Sequence, residues 1–409
     1  MSAGARGRLT ALPGVRAIRR PVTPDGGAGF DLHYVRAGRA GKHPVLIIPG
    51  GPGMASIGPY QGLRRRTAAA GLDVIMVEHR GVGLSRRDDH GVDLPPDALT
   101  IGQVVDDVAA VLDDAGVGQA VVYGTSYGSY LAAGLGVKYP ARLRAMVLDS
   151  PVLGRVDIEI VRRELRALFW HGQDPRTEDL AAKIRRLVER GLLTASDAEV
   201  AAAVYGIGGP GLLGGQLDLL LDGRRLLWTA LDRIGRRMAT RNTPYRFEAD
   251  LVGRIGFREL NFGGVPDGQP LDPAVAMRRH PAGNTPFERE PFDLIAALPR
   301  FRWPTVIVSG GRDLTTPPAV ADRVAELVPG AALVRLPTAG HSVLDTRERA
   351  ALFILAELCA GRSAELASRG GMLDALPTRP AMRLTRAAIG LAARLEAALP
   401  AFATARVSS

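Results

Sequence analysis

Ala120-Val121-Val122-Tyr123-Gly124-Thr125-Ser126-Tyr127-Gly128 is the stretch that decides the fold prediction, because an apolar run ends there in a glycine-flanked serine. Residues 119–123 predict a buried strand, and the Ala- and Leu-rich stretch up to Tyr139 predicts a helix. Small glycines on both sides of a serine permit a strained, exposed turn between a strand and a helix. Ser126 is therefore the candidate nucleophile.

Further apolar runs on both sides of this stretch predict strands that alternate with helices. The helix at 100–116 has Thr100 as its predicted N-cap, and another helix is predicted over 346–359. Alternating strands and helices are typical of an α/β fold with a mostly parallel sheet. The predicted strands cover residues 45–48, 73–77, 143–149, 305–309 and 332–336.

The alternation of strands and helices stops after Pro151, where helical patterns follow one another with little strand character. We predict a helical cap inserted between two parts of an α/β core, followed by a C-terminal helical appendage. The predicted boundaries are core 1–150, cap 151–295, core 296–362 and appendage 363–409, and the cap helices cover 158–170, 178–190, 195–205 and 217–236. A basic helix over 382–399 in the appendage would pack on the body or a second subunit, or lie on a membrane surface.

The amino-acid composition and charge of the chain exclude several classes of protein. The 409 residues are 46% hydrophobic and 23% charged, which is typical of a globular enzyme. The net charge of +10 comes from arginines spread along the chain without a nucleic-acid motif, so we expect no nucleic-acid partner. The single Cys359 excludes an intramolecular disulfide and a thiol metal cluster. Residues 1–29 lack a signal-peptide pattern, and no run nears the ~18 apolar residues of a membrane span, so we expect a cytoplasmic protein without membrane insertion.

A serine nucleophile needs a base that is oriented by a carboxylate, in the chain order Ser, acid, His for this topology. His341 is the predicted base, because it is the histidine that follows a late core strand. Asp313 follows the preceding strand and is the predicted acid. Asp149, at the end of the strand after the nucleophile helix, is the alternative acid.

Backbone donors for an oxyanion are expected from the residue after the nucleophile and from a loop after an earlier strand. The candidates are the N–H groups of Tyr127 and Gly51, although the run 49–53 could also be a turn without catalytic duty. The loop 78–85 contains Gly81-x-Gly83, but no P-loop lysine or third glycine accompanies it, so we predict no phosphate or dinucleotide cofactor site there. No metal and no cofactor is expected.

Three segments at matching spacing resemble the proline iminopeptidases and related tripeptidyl aminopeptidases, which have the α/β-hydrolase fold. The segments are Pro49-Gly50-Gly51-Pro52-Gly53, Glu78-His79-Arg80-Gly81-Val82-Gly83-Leu84-Ser85 and Gly124-Thr125-Ser126-Tyr127-Gly128-Ser129, within a resemblance that covers about 30–150 and 300–360. Three positions depart from the family pattern: Pro49 replaces a histidine, Glu78-His79 replaces Asp-Gln, and Tyr127 stands where proline-specific members have tryptophan.

The resemblance implies a serine hydrolase that releases N-terminal residues from short peptides. It also implies that a cap carboxylate binds the free α-amine of the substrate, and Glu259 in Arg258-Glu259-Leu260-Asn261-Phe262 is similar to that position. An esterase or other small-molecule hydrolase is the enzymatic alternative, and a catalytically silent ligand-binding protein is the other. The sequence leaves a homo-oligomer open.

Overall fold

An eight-stranded sheet forms the centre of the computed structural model, which describes residues 3–41 and 44–400. Its strand order is β1-β2-β4-β3-β5-β6-β7-β8; β1 and β2 join antiparallel at one edge, and β3 to β8 are parallel to one another. The strands are β1 (Val15–Pro21), β2 (Gly29–Ala37), β3 (Val45–Ile48), β4 (Val74–Val77), β5 (Ala120–Thr125), β6 (Leu143–Asp149), β7 (Thr305–Gly310) and β8 (Ala332–Leu336). The mostly parallel sheet and the positions of β3 to β8 confirm the prediction.

The two N-terminal strands were not predicted from the sequence. In β2 the residues Phe30, Leu32 and Tyr34 pack in one hydrophobic core, and Val35 packs in the core on the other face of the sheet. The edge strand β1 has exposed arginines at 16 and 19, which hide its own alternation.

Helices cover both faces of the sheet and produce three layers. In chain order the α-helices are α1 (Ala3–Thr10), α2 (Gln61–Ala69), α3 (Ile101–Asp114), α4 (Tyr127–Lys138), α5 (Asp157–Arg166), α6 (Glu178–Glu189), α7 (Ala198–Leu221), α8 (Leu226–Thr240), α9 (Ala249–Val252), α10 (Arg254–Leu260), α11 (Pro273–Met277), α12 (Leu294–Ala297), α13 (Pro318–Leu327), α14 (Val343–Thr346), α15 (Glu348–Cys359), α16 (Gly370–Asp374) and α17 (Pro380–Ala398). Helices α3, α4 and α13 share one hydrophobic core with the sheet, and α2 and α15 share the other. Thr100 caps α3 as predicted, because its hydroxyl accepts a hydrogen bond from the Gln103 N–H.

The described chain between β6 and β7 is helical, and a third core lies among α5, α6, α7 and α8. The prediction of one helix over 217–236 is wrong, because the chain turns after α7 at Gly223, which has a φ of 76°. Gly209 interrupts α7 with a φ of 74° and is followed by Pro210, so a second helical run starts there. The cap boundaries at 151 and 295 stay a prediction.

The C-terminal helix α17 packs against α7 and α8. The Glu396 carboxylate accepts hydrogen bonds from the N–H groups of Leu226 and Leu227, both at 2.8 Å, at the start of α8. Helix α17 begins two residues before its predicted start because Pro380 occupies the first turn, where its missing N–H costs nothing. Residues 401–409 of the predicted appendage lie outside the described residues.

Candidate active site

Ser126 lies in the tight turn between β5 and α4, with φ 54° and ψ −126°. A Cβ at Gly124 would lie 2.2 Å from the Gly128 carbonyl oxygen, and a Cβ at Gly128 would lie 2.2 Å from that of Ile48. No side chain fits at either position, so the turn depends on both glycines. The turn projects Ser126 at the carboxyl end of the central strand, where its side chain is partly exposed.

The structure brings three predicted residues into one hydrogen-bonded chain. The Ser126 Oγ lies 2.9 Å from His341 Nε2, and His341 Nδ1 lies 2.9 Å from Asp313 Oδ2. Asp313 follows β7 and His341 follows β8, so parallel strands deliver all three residues to one edge of the sheet. With a proton on Nδ1 facing the carboxylate, Nε2 is free to accept the Ser126 proton.

Asp313 is held from several sides. Its Oδ1 accepts hydrogen bonds from the N–H groups of Thr315 and Thr316, both at 2.9 Å, and its Oδ2 also accepts one from the Thr316 hydroxyl at 2.9 Å. The sequence analysis missed this role of Thr316, for which a hydroxyl residue three positions after the carboxylate is a weak signal. These bonds fix the carboxylate that orients His341.

Burial and pairing act in opposite directions on the two titrating groups. Burial raises the pKa of Asp313, but the charge and hydrogen bond of His341 and the bonds from Thr316 outweigh it, so the pKa is below its ordinary value. Burial lowers the pKa of His341, but the charge and hydrogen bond of Asp313 outweigh it, so the pKa is above its ordinary value. The pair therefore favours an ionised carboxylate beside a basic imidazole.

Asp149, the alternative acid, forms no hydrogen bond with His341 among the described residues, although its charge acts to raise the pKa of His341. Its fully buried carboxylate accepts hydrogen bonds from the N–H groups of Val343 (3.1 Å) and Leu344 (2.9 Å) and from the Tyr123 hydroxyl (2.9 Å). Asp149 therefore supports the chain just after His341, while Asp313 contacts the ring itself.

The two oxyanion candidates come from the nucleophile turn and from the glycine loop 49–53. Tyr127 N–H opens α4, and within residues 3–41 and 44–400 neither this group nor the Gly51 N–H donates to a protein acceptor. The loop of Gly51 approaches Ser126 through Gly50, where an added Cβ would lie 3.7 Å from Ser126 Oγ. Both N–H groups remain proposals as oxyanion donors.

Glu78 braces the loop that follows β3. Its fully buried Oε2 accepts hydrogen bonds from the N–H groups of Ser56 (2.6 Å) and Ile57 (3.0 Å), and its Oε1 accepts one from Leu84 N–H (3.2 Å). This carboxylate ties the chain just after the glycine loop 49–53 to the loop 78–85.

Glu259 is already engaged within the protein. Its Oε2 accepts a hydrogen bond from the Ile101 N–H at 2.9 Å, at the start of α3, and its Oε1 lies 2.5 Å from the Arg258 guanidinium. The carboxylate is buried and its charge is compensated by both partners. These contacts give Glu259 a structural role, and its predicted role as an amine anchor stays a prediction.

Comparison with protein families matches residues 43–171 to a model described as alpha/beta hydrolase fold. The matched part contains Ser126 and the β3 to β6 strands around it. The chain has the α/β-hydrolase fold. The family match supports a hydrolase enzyme.

Two curated proteins and one solved structure illustrate what this α/β hydrolase is similar to. The "Probable proline iminopeptidase" of Streptomyces coelicolor is 24% identical over 40% of this chain, which spans 53% of that relative. The "Rhodomycin D methylesterase DauP" of Streptomyces sp. (strain C5) is 27% identical over 73% of this chain and 85% of its own length. The crystal structure of a proline iminopeptidase from Mycobacterium smegmatis is 17% identical, with a TM-score of 0.47, over 85% of this chain and 99% of its own.

Metal-binding groups and membrane-spanning helices are two other features that bear on function. No group of three or more His, Cys, Asp or Glu side chains among the described residues could hold a metal ion. Of the helices in the described part of the chain, none combines the length and the hydropathy needed to cross a membrane.

Proposed function

We propose that this hydrolase cleaves carboxylic esters of small molecules through an acyl-enzyme on Ser126. The observation that carries the proposal is the continuous contact from Ser126 Oγ through His341 to Asp313, with both links at 2.9 Å. That arrangement supplies a nucleophile, a base and an orienting carboxylate at one point.

In the proposed first step, Ser126 Oγ attacks the carbonyl carbon of the ester while His341 Nε2 takes the hydroxyl proton. The N–H groups of Tyr127 and Gly51 would stabilise the oxyanion of the tetrahedral intermediate. The intermediate then collapses, the bond to the alcohol oxygen breaks, and His341 returns the proton to the leaving alcohol. Asp313 stays ionised and keeps the imidazolium in place.

The second step uses water as the nucleophile. His341 takes a proton from the water that attacks the acyl carbon, and the second intermediate releases the carboxylic acid while Ser126 regains its proton. The chemistry needs only groups of this chain and water.

An ester is favoured over a peptide because of Glu259. Recognition of a free α-amine needs a carboxylate whose charge is available, while that of Glu259 is compensated by Arg258 and the start of α3. The methylesterase relative matches 73% of this chain, compared with 40% for the proline iminopeptidase relative.

An aminopeptidase of the proline iminopeptidase type is the second candidate. It is favoured by the segments 49–53, 78–85 and 124–129, which resemble that family at matching spacing. Nitrophenyl esters and the naphthylamides of proline and alanine separate the two activities. Hydrolysis confined to naphthylamides would overturn the ester proposal, and hydrolysis confined to esters would overturn the peptidase.

Covalent labelling tests the nucleophile itself. We expect a fluorophosphonate probe to label the wild type and Ser129→Ala but not Ser126→Ala. Ser129 is a matched control because it lies one turn along α4, where its hydroxyl bonds the Ser126 carbonyl and the Val152 N–H rather than His341. Equal labelling of wild type and Ser126→Ala would refute the mechanism, and the absence of labelling in both would favour a silent binding protein.

A further inference from the structure

Two adjoining cavities, of about 680 Å³ and about 200 Å³, lie between α7, α17 and the loops that carry Asp313 and His341. Arg312, Arg383 and Arg386 line both of them. The larger one is an open groove, in which Arg383 and Arg386 are exposed and Arg312 is partly buried. Ser126 and His341 do not line either cavity, so this space is separate from the reacting bond.

The three arginines come from two parts of the fold. Arg312 immediately precedes Asp313, and its backbone N–H donates to the Ala339 carbonyl at 2.9 Å. Its guanidinium packs on the kink of α7, because a Cβ at Gly209 would lie 2.6 Å from Arg312 Cζ. Arg383 and Arg386 are three positions apart on α17 and therefore share one face of that helix.

In the described part of the chain, the walls of these cavities carry arginines and no carboxylate side chain. None of the residues that line either cavity is Asp or Glu, and within residues 3–41 and 44–400 none of the three arginines forms an ion pair. Arg347 at the rim of the smaller cavity differs, because it lies 3.6 Å from Asp374. Burial lowers the pKa of Arg312, while Tyr205 and Asp374 act to raise it and Arg386 and Arg347 act to lower it.

A helix start adds to the positive charge of these arginines. The helical run that begins at Pro210 places Gly211 and Leu212 of its first turn on the wall of the larger cavity. First-turn N–H groups have no partner within their helix, and the positive end of the helix dipole lies there. A helix start and three arginines form the combination that binds anions in proteins.

We propose that the larger cavity, where Arg312, Arg383 and Arg386 meet, is a binding site for a small organic molecule that bears a phosphate group. A phosphate group carries close to two negative charges, and its oxygens match the planar guanidinium in bidentate pairs. The glycine and alanine walls at Gly208, Gly211 and Ala387 leave room for the organic part of the ligand. Occupancy of the site would place the ligand against Arg312, one residue from the acid of the proposed mechanism.

Calorimetric titration with inorganic pyrophosphate at constant ionic strength tests the site. We expect saturable binding to the wild type, and at least tenfold weaker binding to the double variant Arg383→Gln/Arg386→Gln. The matched control is Arg65→Gln/Arg349→Gln, which removes two exposed arginines elsewhere and should bind within twofold of the wild type. Thermal unfolding of both double variants verifies that each is folded.

The competing outcomes are distinct. Equal weakening in both double variants would show a general charge effect and refute the site. The site would also be refuted if the wild type bound no pyrophosphate up to about 10 mM, because a functional site would have a dissociation constant well below that concentration. Malonate, a dicarboxylate, provides the second arm. Binding of malonate as tight as that of pyrophosphate would refute phosphate as the ligand group.

Discussion

Replacing Asp313 by Asn separates the orientation of His341 from the packing around it. The carboxylate accepts two bonds at Oδ1, from the N–H groups of Thr315 and Thr316, and two at Oδ2, from the Thr316 hydroxyl and the His341 ring. An amide has one oxygen that accepts and one nitrogen that donates. The nitrogen must therefore occupy the Oδ1 or the Oδ2 position, where the neighbouring groups are themselves donors. The backbone N–H groups at Oδ1 cannot adjust, whereas a hydroxyl can rotate and an imidazole can move its proton.

We therefore expect the amide nitrogen at the Oδ2 position and the His341 proton on Nε2, facing Ser126. In that tautomer the ring cannot accept the proton of the nucleophile. When the geometry of a triad is retained and only the tautomer is wrong, kcat falls by about 10⁴-fold. At about 1.36 kcal/mol for each factor of ten, the loss is about 5 kcal/mol of transition-state stabilisation. Because the Oδ1 bonds persist, the free energy of unfolding should change by less than about 2 kcal/mol.

Steady-state hydrolysis of a nitrophenyl ester at pH 8 measures the effect, and thermal unfolding measures stability. Asp345→Asn is the matched control, because the Asp345 carboxylate bonds the Tyr60 and Ser342 hydroxyls and not the His341 ring. Its kcat should stay within tenfold of the wild type. An Asp313→Asn enzyme that retains a tenth or more of the wild-type kcat would refute the assigned role, as would a larger loss in a stably folded Asp149→Asn variant.

The remaining predictions concern pH, the nucleophile turn and the core. Because the pKa of His341 is raised and the base must be neutral, kcat/KM should fall as pH decreases, with a midpoint above about 6.5; a midpoint below that value would contradict the pairing with Asp313. The free energy of unfolding should depend on pH in the opposite direction. The stabilisation from the raised His341 pKa is complete below the pKa of the unfolded chain and is lost as pH rises through the pKa of the folded protein. Unfolding measured from pH 5 to 9 checks this. Gly128→Ala forces a Cβ 2.2 Å from a carbonyl oxygen and should lower the unfolding free energy by at least about 2 kcal/mol, while Gly371→Ala, which has open space, should not. Asp107→Ala leaves the buried Arg80 guanidinium without its ion pair and should cost about 3 to 5 kcal/mol in denaturant unfolding; a cost below about 1 kcal/mol would show that water reaches Arg80.

The centre of the fold was predictable because short-range patterns specify it. Fully buried parallel strands are continuous apolar runs, and the runs around 45–48 and 305–309 stand out for this reason. Ser126, Asp313 and His341 were predicted from the chain order Ser, acid, His that is typical of this topology, and they meet because parallel strands end at one edge of the sheet.

Other features depend on tertiary partners that no local pattern reveals. The edge strand β1 is rich in arginine, so its pairing with β2 is visible only in the folded chain. The negative charge of Glu259 is compensated in part by the N–H group of Ile101, 158 positions earlier in the chain. The sequence alone does not reveal whether a carboxylate is paired within the protein or available to a substrate. The convergence of Arg312 with α17 is likewise a product of the folded chain.

Strands β6 and β7 lie side by side although residues 150–304 intervene. Backbone bonds at 2.9 Å from Met146 N–H to the Pro304 carbonyl and from Ser150 N–H to the Val308 carbonyl join the two ends of that excursion to the sheet. A long segment that leaves the sheet and returns to it at neighbouring strands can be lengthened, shortened or exchanged while the register of those strands stays the same.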